Sequence, residues 1–240
     1  MDTLYIVIPA YNEQANIEEV VNDWYPVIEE RNDLSRLVII DDGSRDDTYK
    51  VLEKLAASRE KMVALTKPNG GHGATVLYGY NYALEHGADF VFQTDSDGQT
   101  LASEFGQFWD LKDAHDMVIG HRKGRQDGFS RKFVTKTLKL VCRICFGVTL
   151  TDANTPFRLM KAEGLKENLK YVPKDFNLSN VILSVIYAKR KQSVKYIPIT
   201  FRPRQGGVNS INLKRIFRIG KQALKDFKTI NNQIKDIDTV

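Results

Sequence analysis

The chain has 240 residues, of which 42% are apolar and 27% charged, with 35 Lys and Arg against 30 Asp and Glu. That suffices for one large domain with a sizeable core and excludes a disordered or fibrous protein. No apolar run approaches the ~20 residues of a spanning helix, and no cationic leader precedes the first strand-like residues.

The first 120 residues alternate between strand and helix patterns. Strands are expected at Leu4–Pro9, Leu37–Asp41, Met62–Thr66, Phe90–Thr94 and Met117–Gly120. Between them, helices are expected from about Glu13, Asp46 and Gly73, with a short one near Glu104. Strands separated by helices imply right-handed crossovers and an α/β fold with a mostly parallel sheet covered on both faces. Beyond residue 120, Phe133, Thr137, Val141, Ile144 and Val148 share one helical face, with Lys132, Lys136, Lys139 and Arg143 on the other. Asp152 to Phe157 reads as a loop, Phe176 to Lys189 as a helix and Val194 to Phe201 as a strand. Pro198 marks that strand as an edge. Asn212 to Lys228 reads as a terminal amphipathic helix. No repeat or linker interrupts the chain, so a single domain over 1–240 is expected. Cys142 and Cys145 have C-x-x-C spacing without a second pair and read as buried thiols, not as a zinc site; a reducing, cytoplasmic setting is expected.

Charge is segregated. Segments 122–143 and 202–228 hold sixteen of the 35 Lys and Arg and only two acids, Asp127 and Asp226. Such polarity gives a basic face suited to an anionic partner. The aromatics are not interleaved with these cations, which disfavours nucleic acid.

Ligands of open parallel sheets bind outside the carboxyl ends of the strands, and three polar loops fall there. They are Pro9-Ala10-Tyr11-Asn12-Glu13, Asp41-Asp42-Gly43-Ser44 and Asp95-Ser96-Asp97. In an extended segment Asp95 and Asp97 face the same side. Together they make a hard oxygen site for Mg²⁺ or Mn²⁺ with positions left for phosphate oxygens, and Gln99 adds a third oxygen if the segment stays extended. A calcium-loop reading of Gln93 to Glu104 fails at its first position, where Gln replaces Asp, and for want of an entering helix. Asn69-Gly70-Gly71-His72-Gly73-Ala74 lacks the third Gly of a dinucleotide fingerprint and the Lys-Ser/Thr of an NTPase loop. Backbone approach to phosphate at the following helix start remains open to it, and His72 reads as a loop-packing residue before a proton carrier. Arg122, Arg131, Arg202 and Arg204 are the candidate phosphate forks.

With these motifs assembled, the chain resembles glycosyltransferase family 2, and within it the polyprenyl-phosphate, dolichol-phosphate mannose synthase-like sugar transferases. Val7-Ile8-Pro9-Ala10-Tyr11-Asn12-Glu13, Asp41 to Thr48, and Asp95-Ser96-Asp97-Gly98-Gln99 are similar to its three ordered motifs. The resemblance implies the A-type glycosyltransferase fold and a nucleotide-diphosphate sugar donor. Residues 1–120 would form the nucleotide-sugar-binding half, 121–210 the acceptor half, and 211–240 an amphipathic helix and tail. It also implies a donor-side role for Gly71, a donor-closing loop from Phe201 to Gly207 that carries Arg202 and Arg204, and contact of Arg131 with acceptor phosphate. In the nucleotide site, Pro9 and Ser96 belong to the motifs, Tyr11 is suited to stack on the base, and Glu13, Asp41 and Asp42 to accept base and ribose hydrogen bonds.

Two departures bear on the acceptor. Thr155-Pro156-Phe157-Arg158 stands where the resemblance leads one to expect Ser-Gly-Phe-Arg, and Phe176-Asn177-Leu178-Ser179 lacks an expected acid. A lipid phosphate attacks as an anion without a base, whereas a sugar hydroxyl needs a carboxylate, for which Asp152 and then Asp175 are the candidates. The expected activity is therefore a metal-dependent, inverting transfer to polyprenyl phosphate, at Asp97, Asp152, Arg131 and Arg204, with peripheral contact to an anionic membrane. Transfer to a saccharide hydroxyl and nucleotidyl transfer are the alternatives.

Overall fold

The computed structural model describes residues 2–122, 129–174, 176–202 and 226–232, with 129–137 as backbone. In chain order the elements are β1 (Leu4–Ala10), α1 (Ile17–Glu29), β2 (Arg36–Asp41), α2 (Thr48–Ala56), β3 (Met62–Thr66), α3 (His72–Glu85) and β4 (Phe90–Gln93). Then come α4 (Phe105–Trp109), β5 (Met117–Arg122), α5 (Phe129–Phe146), β6 (Arg158–Lys161), α6 (Ala162–Leu169), α7 (Ser179–Lys189) and β7 (Val194–Ile199).

The strands form one sheet in the order β3-β2-β1-β4-β6-β5-β7. β6 runs antiparallel to β4 and β5, and every other pairing is parallel. All seven residues of β1 are buried, as a central strand covered on both faces requires. Its side chains divide by alternation. Leu4, Ile6 and Ile8 enter the core under α1 and α2, while Tyr5 and Val7 enter the core under α3 and α7. In the first core, Phe92 of β4 is ringed by Trp24 at 5.3 Å, Phe105 at 5.1 Å and Phe157 at 4.8 Å between ring centroids. This cluster fixes the end of β4 together with the chain entering β6. Chain order reverses between β1 and β4, so the loops that leave them diverge and open a crevice at the sheet's carboxyl edge.

Expectation and structure differ in informative places. α1 begins at Ile17, because the Glu13 carbonyl accepts both the Asn16 and Ile17 amides in a preceding turn. β6 and α6 were not foreseen: β6 has four residues and starts on an arginine, a weak strand signal. α5 buries Cys142 and Phe146, and Ile144, expected on the core face, is 73% exposed. The cause is packing, for Phe146 meets Phe227 of the helical stretch 226–232 at 5.2 Å, and Phe227 also meets Phe176. The rest of the expected terminal helix, 212–225, lies outside the described residues. β7 is the sheet edge that Pro198 indicated, although it ends at Ile199, not at Phe201.

α3 crosses the sheet closely at Gly79. A Cβ there would lie 2.3 Å from Val7 Cγ1 and 2.9 Å from Ile40 Cδ1. Gly79→Ala sets a helix-propensity gain of about 1 kcal/mol against overpacking on two fully buried strand residues, which costs about 1–3 kcal/mol. Since neither strand can yield, the expected outcome is net destabilisation, read as a lower urea midpoint with unchanged slope.

Candidate active site

The loops after β1 and β2 are stitched together by their own side chains. Asn12, at φ +54°, donates its amide to Ser44 Oγ (2.8 Å) and accepts the Arg45 amide on Oδ1 (2.8 Å). Gln14 accepts the Asp47 amide, its own amide reaches Asp46, and the Glu13 amide donates to Thr48 Oγ1 at 2.9 Å. Glu13 is buried, with Oε2 accepting from Asn16 Nδ2 at 2.9 Å. Tyr11 stands 41% exposed at the rim of this braid.

Asp41 ends β2, Asp42 follows it, and the two divide their work. Asp41 accepts the Ser44 amide and the Thr66 hydroxyl (2.9 Å), which ties β2 to β3. Asp42 accepts the Gly70 amide at 2.9 Å, the Gly71 amide at 2.8 Å and the Lys67 ammonium, so its carboxylate holds the Gly-rich loop. Burial pushes the Asp42 pKa up, but the Gly70 amide, Lys67 and Thr75 outweigh it and hold it below the ordinary Asp value. Gly73, at the start of α3, lets the loop before α7 close on the Gly-rich segment: a Cβ there would sit 2.2 Å from the Phe176 carbonyl oxygen.

Asp95 meets that loop directly. His72 Nε2 lies 2.9 Å from Asp95 Oδ1, both side chains being partly exposed. Burial lowers the imidazole pKa, yet Asp95, and beyond it Asp97 and Asp42, leave it raised. Carboxylates from the loops after β2 and β4 thus share one neighbourhood with the start of α3. The contact of His72 with Asp95 was not foreseen; a histidine beside two glycines was its only sequence signal.

The extended run expected through Gln99 is corrected, because β4 stops at Gln93 and the chain turns at Gly98, φ +67°. Asp97 Oδ1 accepts the Gln99 amide at 3.2 Å within that turn. Gln99 clamps the chain after β7: its Nε2 donates to the Arg202 carbonyl (2.9 Å), and the Arg202 amide donates to the Gln99 carbonyl (2.8 Å). Glu104 adds a second tie, both its oxygens accepting the Thr200 amide at 3.0 Å. Arg202 itself is exposed.

Asp152, the candidate base, is held in a two-point fork by Arg122, with Nε and Nη2 each 3.1 Å from a carboxylate oxygen. Both side chains are 11% exposed, and the Arg122 guanidinium lies over the Phe201 ring at 4.9 Å. Such a fork engages both carboxylate oxygens of Asp152. In this position Asp152 is a brace. Arg158, next to it in the fold, is fully buried and donates to the carbonyls of Ala153, Thr155 and Asn180 and to Ser184 Oγ. Arg204 and Asp175 lie outside the described residues, as does the Arg131 side chain.

Among the described residues no three His, Cys, Asp or Glu side chains gather into a complete metal cage. Asp95 and Asp97 nevertheless have the hard-oxygen chemistry of a Mg²⁺ or Mn²⁺ site that completes its shell from water and phosphate.

The sequence profile described as Glycosyl transferase family 2 matches residues 5–172. The chain is 27% identical over 219 residues to a UDP-N-acetylglucosamine–dolichyl-phosphate N-acetylglucosaminyltransferase of Methanococcus voltae, covering 82% of this chain and 84% of that protein. It is 26% identical over 216 residues to polyprenol monophosphomannose synthase of Mycolicibacterium smegmatis, covering 86% and 80%. Among solved structures it is similar to glucosyl-3-phosphoglycerate synthase from Mycobacterium tuberculosis in complex with Mn²⁺, UDP-glucose and glycerol 3-phosphate. There the TM-score is 0.68 at 18% identity, over 96% of this chain and 80% of that one, a likeness of fold.

Two outcomes test the braces. A lowered carboxyl pKa contributes stability that is present above the unfolded-state value and is lost as pH falls through the folded-state value. Asp42→Asn is therefore expected to cost about 1–3 kcal/mol at pH 7, and the gap to wild type should narrow below about pH 4; urea unfolding at stepped pH checks it, and a gap constant into acid would detach the ionised carboxylate from the loop. For the second pair, Asp152→Asn and Arg122→Gln should each destabilise, and the double variant by less than their sum, a coupling of about 0.5–3 kcal/mol in the cycle. Strict additivity would mean that the fork holds nothing.

Proposed function

Taking as premise that the chain belongs to glycosyltransferase family 2, has the A-type fold and is a glycosyltransferase, we propose that it moves a sugar from a nucleotide diphosphate to a polyprenyl phosphate. The observation that carries the donor side is the meeting of Asp42, His72, Asp95 and Asp97 at the crevice between β1 and β4. Family membership removes the nucleotidyl-transfer alternative.

In this reading Asp95 and Asp97 hold Mg²⁺ or Mn²⁺, which when bound withdraws charge from the leaving diphosphate. Tyr11 stacks on the base from the rim, with Pro9, Glu13 and Asp41 shaping the pocket behind it. Asp42 acts by presenting the Gly70 and Gly71 backbone toward the donor, and Ser96 sits between the two metal-binding carboxylates. Arg202, and in sequence Arg204, supply cations for the diphosphate.

The acceptor assignment is supported by the Arg122–Asp152 fork and by the names of the two relatives above, transferases to a dolichyl phosphate and a polyprenol phosphate. A phosphate oxygen already carries the charge with which it attacks, so a braced Asp152 is no handicap; a sugar hydroxyl would need that carboxylate free to take its proton. Arg131 is then the cation for acceptor phosphate. Attack opposite the leaving diphosphate inverts the anomeric carbon: the new bond forms between it and the phosphate oxygen as its bond to the diphosphate oxygen breaks.

The test is a product assay with Mn²⁺ or Mg²⁺, a panel of nucleotide sugars, and either a short prenyl phosphate or a free saccharide as acceptor. Expected are released nucleoside diphosphate, an inverted sugar-1-phosphoprenyl product, and activity lost in excess chelator. Asp97→Asn should lower kcat by at least about a hundredfold with an unchanged urea midpoint. Transfer to the saccharide alone would overturn the acceptor assignment, and full activity in chelator the metal role.

A further inference from the structure

We propose that His72 is the positioning residue of the ion site: its Nε2–H holds Asp95 Oδ1 and leaves Oδ2 for Mg²⁺ or Mn²⁺. The inference rests on the reading of Asp95 and Asp97 as the residues that take the ion. Nε2 and Oδ1 are 2.9 Å apart. An ionised carboxylate only accepts, so the imidazole nitrogen is the donor. Among the described residues His72 is the one hydrogen-bonding partner of the Asp95 side chain.

Both partners are held from behind. His72 opens α3, and the two residues before it, Gly70 and Gly71, give their amides to Asp42. The residue after it, Gly73, leaves the helix start no room to shift toward the loop before α7, since a Cβ there would already sit 2.2 Å from the Phe176 carbonyl oxygen. Eight residues on, Tyr80 donates its hydroxyl to Gln93 Oε1 at 2.7 Å, both side chains being buried. Gln93 ends β4 two residues before Asp95, and the hydroxyls of Thr94 and Thr100, 2.7 Å apart, close the turn that carries Asp95 and Asp97. α3 and the end of β4 therefore form one framework that sets His72 opposite Asp95.

Stability does not explain the contact. The two side chains are 49% and 26% exposed, and pairs so open to water contribute little to the folded state. What the bond supplies is a fixed carboxylate, for a ligating carboxylate needs a neighbouring donor to hold its orientation. Histidine suits this task better than lysine, because a neutral imidazole donates without setting a positive charge against the ion. Among the described residues no three His, Cys, Asp or Glu side chains are placed to enclose an ion, so the imidazole is assigned to the carboxylate and not to the ion itself.

The experiment titrates Mn²⁺ into the full chain, alone and with UDP or GDP, and reads the free ion by electron paramagnetic resonance, so that no turnover is needed. His72→Ala should weaken Mn²⁺ binding by about 10–100-fold, the range typical for loss of a partner to a metal ligand, with an unchanged urea midpoint. His72→Gln, whose side-chain amide returns an N–H to the same oxygen, should recover most of that loss. In transfer assays the Mn²⁺ concentration for half-maximal rate should rise by the same factor in His72→Ala. An alanine variant that binds Mn²⁺ like wild type would overturn the role of His72 while leaving the ion site standing. A glutamine variant no better than alanine would overturn the donor role, as would a nitrogen coupling from the imidazole in the spectrum of bound Mn²⁺, which marks a direct ligand. A wild type that binds no Mn²⁺ under any of these conditions would sink the ion reading itself, and this role with it.

Discussion

Backbone amides that leave the end of a parallel sheet lose the ladder that served them, and each must find another acceptor. In this protein the side chains of one loop serve the amides of the next. Asn12 donates to Ser44 and accepts from Arg45 between the first two loops, Asp42 accepts the two glycine amides of the third, and His72 from that third loop reaches Asp95 in the fourth. The two bonds that Asp42 accepts are of the stronger kind, since a carboxylate takes part, worth about 1.5–3 kcal/mol each. The polar edge is consequently organised by its own residues.

This economy explains why some acidic residues could be located from sequence without their duties being known. Asp41, Asp42, Asp95 and Asp97 announce themselves by falling at strand ends, and the β1, β2, β3 and β4 patterns were readable from alternation and apolar runs. What alternation cannot carry is which lone pair points where. Asp42 turned out to hold a loop, Asp152 to hold Arg122, and Gln99 to hold Arg202, because long-range partners 28, 30 and 103 residues away take up those atoms. β6 was missed for a related reason: a strand of four residues that opens on a buried arginine defeats any reading in which charge means surface. The roll of α5 was equally hidden, since its cause is Phe227, eighty-one residues beyond Phe146.

Arg158 shows how such a residue is tolerated. An ionised group taken wholly out of water costs several kcal/mol after relaxation, and burial indeed lowers its pKa. The guanidinium nonetheless finds five acceptor contacts, four of them to backbone carbonyls. Those carbonyls belong to the turn after Asp152 and to the first turn of α7, so the cation pins the first of the two departing segments to the helix that begins at the end of the second. A neutral side chain of similar length would leave the same carbonyls turned inward without donors.

The pair of hydrogen bonds between Gln99 and Arg202 has a mechanical meaning. Two antiparallel contacts across a single residue pair resist both sliding and hinging, so the carboxylate turn and the strand exit behave as one lever arm instead of two adjoining flaps. Arg202 is therefore held in register with the turn that carries Asp97.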